Sequence, residues 1–179
     1  MGDSQFVRDL AVMALVFGFA GFVWFGWGQE APPQRWRLVL AIGSGLGLVL
    51  AIVGGVLTWR NWGPESALAA PEARRAFGIT GGVEFGLAGL GAAVLGITRR
   101  PQWIAPWIAL VVGVHFVPLA YIFGDPGLLV LATLMVLAVA MSLVVHRRTG
   151  ITPSASVGLG SGIALLAFGI RAAVLAATF

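Results

Sequence analysis

One carboxylate stands inside a long apolar stretch of this chain. Glu84 lies within Phe77–Thr98, FGITGGVEFGLAGLGAAVLGIT, whose other residues are apolar, small or hydroxyl-bearing. A charge at bilayer depth costs about 2.5 kcal/mol or more. Such a group is therefore expected to be paired, protonated or turned towards a cavity. Two more ionisable residues interrupt later apolar stretches: His115 in Trp103–Phe123 and Arg171 in Ala155–Ala176.

Helical rise sets their depths. Glu84 lies roughly 10 Å, His115 roughly 12 Å and Arg171 roughly 8 Å from the end of the respective span, taking 1.5 Å per residue. All three ends face the side on which the chain begins, and Arg8, Asp9 and Tyr121 stand near the same rim. Glu84, His115 and Arg171 are thus expected to converge in a polar pocket opening to the N-terminal side, with Tyr121 at its edge. Glu84 would bind a cation or proton, His115 would relay protons near neutral pH, and Arg171 would act as counter-ion or anion anchor. Pro118 frees the carbonyl of Val114, one turn from His115, and is a candidate kink. The competing structural account makes Glu84 and Arg171 a buried ion pair that fixes helix register, with His115 bonded to a backbone carbonyl.

The elements that must position these residues are six apolar stretches, each long enough to cross a bilayer at about 20 residues per span. They cover about 7–28, 37–59, 77–98, 103–123, 127–146 and 155–176. The expected fold is all-α: one domain, a bundle of six transmembrane helices with short loops. Pro33, Pro71, Pro101, Pro126 and Pro153 each stand near a helix start, where a missing N–H costs nothing. Asp125-Pro126 and Thr152-Pro153 read as N-cap and first helical residue. Pro71 and Glu72 open the third helix early, placing Arg74 and Arg75 on its extramembrane turns.

Composition agrees with that class. The 179 residues are 59% hydrophobic and 10% charged, which excludes an ordinary soluble domain. There is no Cys, so no disulfide, thiolate chemistry or Cys-bound metal. Lys is absent too, which rules out Schiff-base chemistry and a P-loop. The net charge of +4 comes from Arg residues in short loops, and no nucleic-acid role is expected. Arg35, Arg37, Arg99, Arg100, Arg147 and Arg148 lie on one side, against Arg8, Arg60, Arg74 and Arg75 on the other. This bias puts the odd-numbered loops in the cytoplasm and both termini outside, in a bacterial-type inner (plasma) membrane. The N-terminus, with Asp3 and Asp9, does not read as a cleaved signal, and the surroundings of Gly2 are poor for myristoylation.

Small residues are phased on three spans: Gly43, Gly47, Ala51 and Gly55; Gly78, Gly82 and Gly86; Gly158 and Gly162. They read as packing seams. The third and sixth spans, both Gly-rich with an ionisable residue, are weighed as halves of an inverted repeat, although residue-level similarity is negligible. Trp24, Trp27, Trp36, Trp103 and Trp107 are expected in one interfacial belt and Trp59 and Trp62 in the other. The alternative for them is an aromatic-lined cavity between the first and fourth spans. His146 belongs with Arg147 and Arg148 at a helix end.

No enzyme motif is present: no HExxH, no GxSxG and no glycine-rich phosphate loop in the right context. Neither a metal nor a cofactor is expected. The favoured function is transport or binding of a small solute or proton through the buried polar pocket. Poverty in Asn, Gln, Ser and Thr makes any pathway narrow, or suited to an amphipathic or apolar solute. The alternative is a non-catalytic assembly or sensor subunit, packing on a second copy or a membrane partner through glycine-rich faces. A small-residue seam left facing lipid, particularly on the second span, would favour it. A lipid-modifying enzyme is the third class and needs a lateral opening beside His115.

Overall fold

The computed structural model describes residues 6–178, so Gly2 and Asp3 lie outside the described residues. Six helices run α1 Val7–Trp27, α2 Arg37–Arg60, α3 Pro71–Ile97, α4 Ile104–Phe123, α5 Gly127–Thr149 and α6 Pro153–Thr178. All six are long and apolar enough to cross a membrane, and no strand occurs among the described residues. The chain is a multi-pass membrane protein built as a six-helix bundle. Its outward apolar side chains, such as Leu38, Ile52 and Ile97, are the surface that lipid covers.

Proline punctuation sets the helix starts. Pro71 opens α3, Pro153 opens α6, and Pro101 opens a short 3-10 turn leading into α4. The Asp125 carboxylate accepts a hydrogen bond from the Gly127 N–H at 2.8 Å, which satisfies a first-turn donor of α5. Thr152 behaves differently from the expected cap. Its hydroxyl donates to the carbonyl of Ala31 at 3.0 Å and ties the start of α6 to the α1–α2 connection.

α6 is the central helix, packing on α1, α2, α4 and α5. α1 lies against α2 and α6, α4 lies against α5, and among the described residues α4 is the one long helix on which α3 packs extensively. The core joins Phe17 and Trp24 of α1, Ala109 and Phe116 of α4, Leu131 and Met135 of α5, and Val157 and Leu165 of α6. An inverted repeat would give α3 and α6 equivalent places. They have opposite ones: α6 is buried between four neighbours, whereas no α3 residue is fully buried.

α1 and α2 come closest where α2 carries no side chain. A Cβ at Gly47 or Gly54 would run into the backbone of Phe22 or Leu15, and Ala51 meets Gly18. The buried face of α2 is thus Gly43, Gly47, Ala51 and Gly54; Gly55 is turned partly outward. On α6, Gly158 and Gly162 lie against Gly28 and the Phe25 ring. Gly78, Gly82 and Gly86 of α3 face open space, so the seam expected on the third span has no partner among the described residues. α3 is held instead at Gly91, where the Trp107 indole lies over the glycine and its N–H donates to the Leu87 carbonyl at 3.0 Å.

Candidate ligand-binding site

The absence of α1–α3 packing leaves a space between α1 and the α3–α4 pair. It is a cavity of about 920 Å³, at the upper end of the range for small-molecule sites. Along α1 it runs from Asp9 to Trp24, about 22 Å of helix rise, against roughly 30 Å for a whole hydrocarbon core. The α2–α3 connection lies across its N-terminal end. There Asp9 accepts from the Ala67 N–H at 2.7 Å, and Arg8 donates to the Gly63 carbonyl at 2.6 Å while lying over the Trp62 ring. Arg8 Nε also stands 3.5 Å from Asp9 Oδ1. A two-residue charge pair on the first turn of α1 therefore pins the loop that roofs the cavity.

Glu84 and His115 meet on the cavity wall. His115 Nε2 is 3.3 Å from Glu84 Oε2, both side chains being mostly enclosed. Similar helical rise from their span ends sets the two residues level, close enough for this contact. His115 Nδ1 lies 3.2 Å from the Val112 carbonyl. A carbonyl only accepts, so that contact puts a proton on Nδ1 and turns Nε2 towards the carboxyl group. One further proton shared along the Nε2–Oε2 line makes the pair neutral overall. Among the described residues Glu84 makes no second ion pair. Its carboxyl group faces a cavity that is otherwise almost wholly apolar at that depth.

Arg171 is not part of this site. Its guanidinium forms two hydrogen bonds with Asp125, at 2.8 and 3.2 Å, and the Asp125 side chain is only 2% exposed. The Glu84–Arg171 pair that competed with the pocket does not form: Arg171 pairs with Asp125 instead, joining the α4–α5 turn to α6, and leaves Glu84 to His115. The reason is length: from α6, the long Arg side chain reaches up to the rim instead of across the bundle. Tyr121 is 77% exposed on the outer surface of α4 and does not line the cavity.

The aromatic lining was legible only as the lesser alternative. Phe17, Trp24, Trp62, Phe77, Phe85, Phe116 and Phe123 all face the cavity. Trp24, expected in an interfacial belt, is 5% exposed, stacks on Trp27 at 5.5 Å and closes the far end. Phe17 and Phe116 meet edge to face at 5.6 Å in the wall that α1 and α4 share. Val16 and Phe85 line the cavity yet are 51% and 78% exposed. Their position on α1 and α3 marks a lateral opening towards lipid.

Ser44 and Ser142 donate to the backbone carbonyls of Phe22 and Val139, and His146 pairs with the Ile151 carbonyl beneath Trp103. The buried hydroxyls of Ser156 and Ser161 on α6 have no hydrogen-bond partner among the described residues. No cluster of three metal-ligating side chains occurs among the described residues. The chain matches no family model, no curated protein and no solved structure.

Proposed function

We propose that this protein binds, and passes between environments, a small solute or proton at the Glu84–His115 pocket, in the leaflet on the N-terminal side. The observation that carries the reading is a carboxyl–imidazole pair on the wall of a large cavity, where a purely structural pair would be sealed. The cavity is apolar beyond the pair and opens sideways between α1 and α3. An amphipathic solute drawn from the bilayer suits it better than a hydrated ion. The proposed setting is a bacterial-type inner membrane with odd-numbered loops cytoplasmic, on the Arg distribution alone. The opening also meets the geometric need of a lipid-modifying enzyme. Against that class, the only lining hydroxyl among the described residues is Ser66, which accepts from the Leu68 N–H in the roof.

Photolabelling tests the reading. A neutral fatty alcohol carrying a diazirine, in proteoliposomes, is expected to modify Phe17 and Phe116, which are enclosed and reachable only through the cavity. Ala20→Trp, which fills the space beside them, should suppress those adducts about tenfold. Adducts confined to outward residues such as Ile97 would remove the reading.

A second reading has one observation in its favour. The seam left facing lipid is on α3, at Gly78, Gly82 and Gly86, while that of α2 is occupied by α1. In this reading α3 packs on a second copy or another membrane protein. Association in micelles that is lost on Gly82→Leu supports it; a monomer in both cases contradicts it.

A further inference from the structure

The pocket holds one carboxylate with an uncommitted oxygen, one imidazole and an aromatic wall, and that combination selects a ligand class. We propose that it takes a lipophilic cation, an amine or onium group on an apolar body, in exchange for the proton shared by Glu84 and His115. This rests on the reading of the cavity as a solute site.

Charge decides the sign. An anionic head would be set against Glu84 in a medium with little water, where like charges repel most strongly. A cation there replaces the imidazolium as partner of the carboxylate. Phe17, Phe85 and Phe116 offer ring faces and edges around it, and ring faces attract cations. The body of the ligand would then fill the apolar length towards Trp24.

The route follows from the remaining charges. Besides Glu84, the titratable groups facing the cavity are Arg8 and Asp9 from α1, Arg74 from α3 and His115 from α4; α5 and α6 contribute Leu128 and Leu165. Arg8 is committed to Asp9 and Gly63, and Arg74 donates to the carbonyls of Leu68 and Ala69. Asp9 offsets Arg8, so the Arg74 guanidinium leaves the aqueous end net positive and disfavours a cation coming that way. The gap between α1 and α3, flanked by Val16 and Phe85, carries no charge. The cation therefore reaches Glu84 from the bilayer.

Proton balance is simple. With the pair holding one shared proton, binding of a cation leaves Glu84 ionised against the ligand and His115 neutral, and one proton departs. Apparent affinity should fall about tenfold per pH unit wherever the pair retains that proton. No covalent step is involved.

The test uses two ions of matched size and opposite charge, tetraphenylphosphonium and tetraphenylborate, with purified protein in micelles between pH 6 and 8. Tetraphenylphosphonium is expected to bind at least tenfold more tightly than tetraphenylborate. It should release about one proton per site into weak buffer and bind more weakly as pH falls. Glu84→Gln should abolish the preference, and Glu84→Asp should retain it. If Glu84→Gln does not fold, the two-ion comparison and the proton count on the unaltered protein still decide. Equal binding of both ions, or binding without proton release, overturns the proposal. If neither ion binds while the neutral photoprobe still labels Phe17 and Phe116, the cation assignment falls and the cavity reading survives. If the photoprobe also fails to label them, both fall.

Discussion

Residue by residue, the chain separates two kinds of membrane-embedded charge. Asp125 and Arg171 form a closed pair with good geometry, and Asp125 also caps α5. Glu84 and His115 form an open one. Removing one member of a buried pair is costly because the other stays buried and unpaired. Arg171→Met should therefore destabilise the bundle by about 3 kcal/mol, because it strands Asp125. Asp125→Asn should cost less, since Arg171 is 39% exposed along its side chain and can turn to water or headgroups. The double variant Asp125→Asn/Arg171→Met should recover part of the loss. Thermal unfolding in micelles measures all three, and a neutral Arg171→Met would contradict this assignment. The pairing was half legible in the sequence. Depth put Glu84 and His115 on one level because rise per residue is fixed. Depth alone could not choose among partners for Arg171, whose reach spans more than a helical turn. Asp125 was visible as a cap, and nothing in its spacing announced a second role.

At the scale of elements, the six spans and most of their starts follow from apolar length and proline punctuation. The packing of each helix does not. Glycine periodicity marks a face on which another helix can approach, but not whether that helix belongs to the same chain. On α2 the face is occupied, and it uses Gly54 where four-residue spacing pointed to Gly55. On α3 the same kind of pattern faces open space. Gly47→Leu should consequently prevent α1–α2 packing and cost more than 3 kcal/mol, since a side chain there meets backbone that cannot yield. Gly82→Leu should leave the monomer's unfolding midpoint within a few degrees of the parent. A large loss at Gly82 would mean that α3 is packed more tightly than the structure gives. Trp24 and Trp107 show the same limit. Each stands where an interfacial anchor would, yet one seals a cavity and the other hydrogen-bonds a neighbouring helix.

Taken whole, the molecule is a tightly associated group, α1, α2, α4, α5 and α6, with α3 attached along one side of α4. The polar site lies where α3 and α4 meet, and the cavity lies in the angle that α3 leaves against α1. That asymmetry could not be read from six similar apolar stretches, because lipid and protein interiors reward the same residues. It makes Glu84 approachable from the bilayer while the Asp9–Ala67 and Arg8–Gly63 bonds hold the roof.

The measurement that bears most directly on this account is the reactivity of a thiol at position 84. The chain has no cysteine, so Glu84→Cys would be the only thiol present. N-ethylmaleimide should modify it readily, and Ala20→Trp should slow that reaction about tenfold. A thiol at position 161, introduced as Ser161→Cys in the sealed core, should stay inert. If the thiol at 84 is as unreactive as the one at 161, Glu84 does not face an open cavity, and the solute-binding account is wrong.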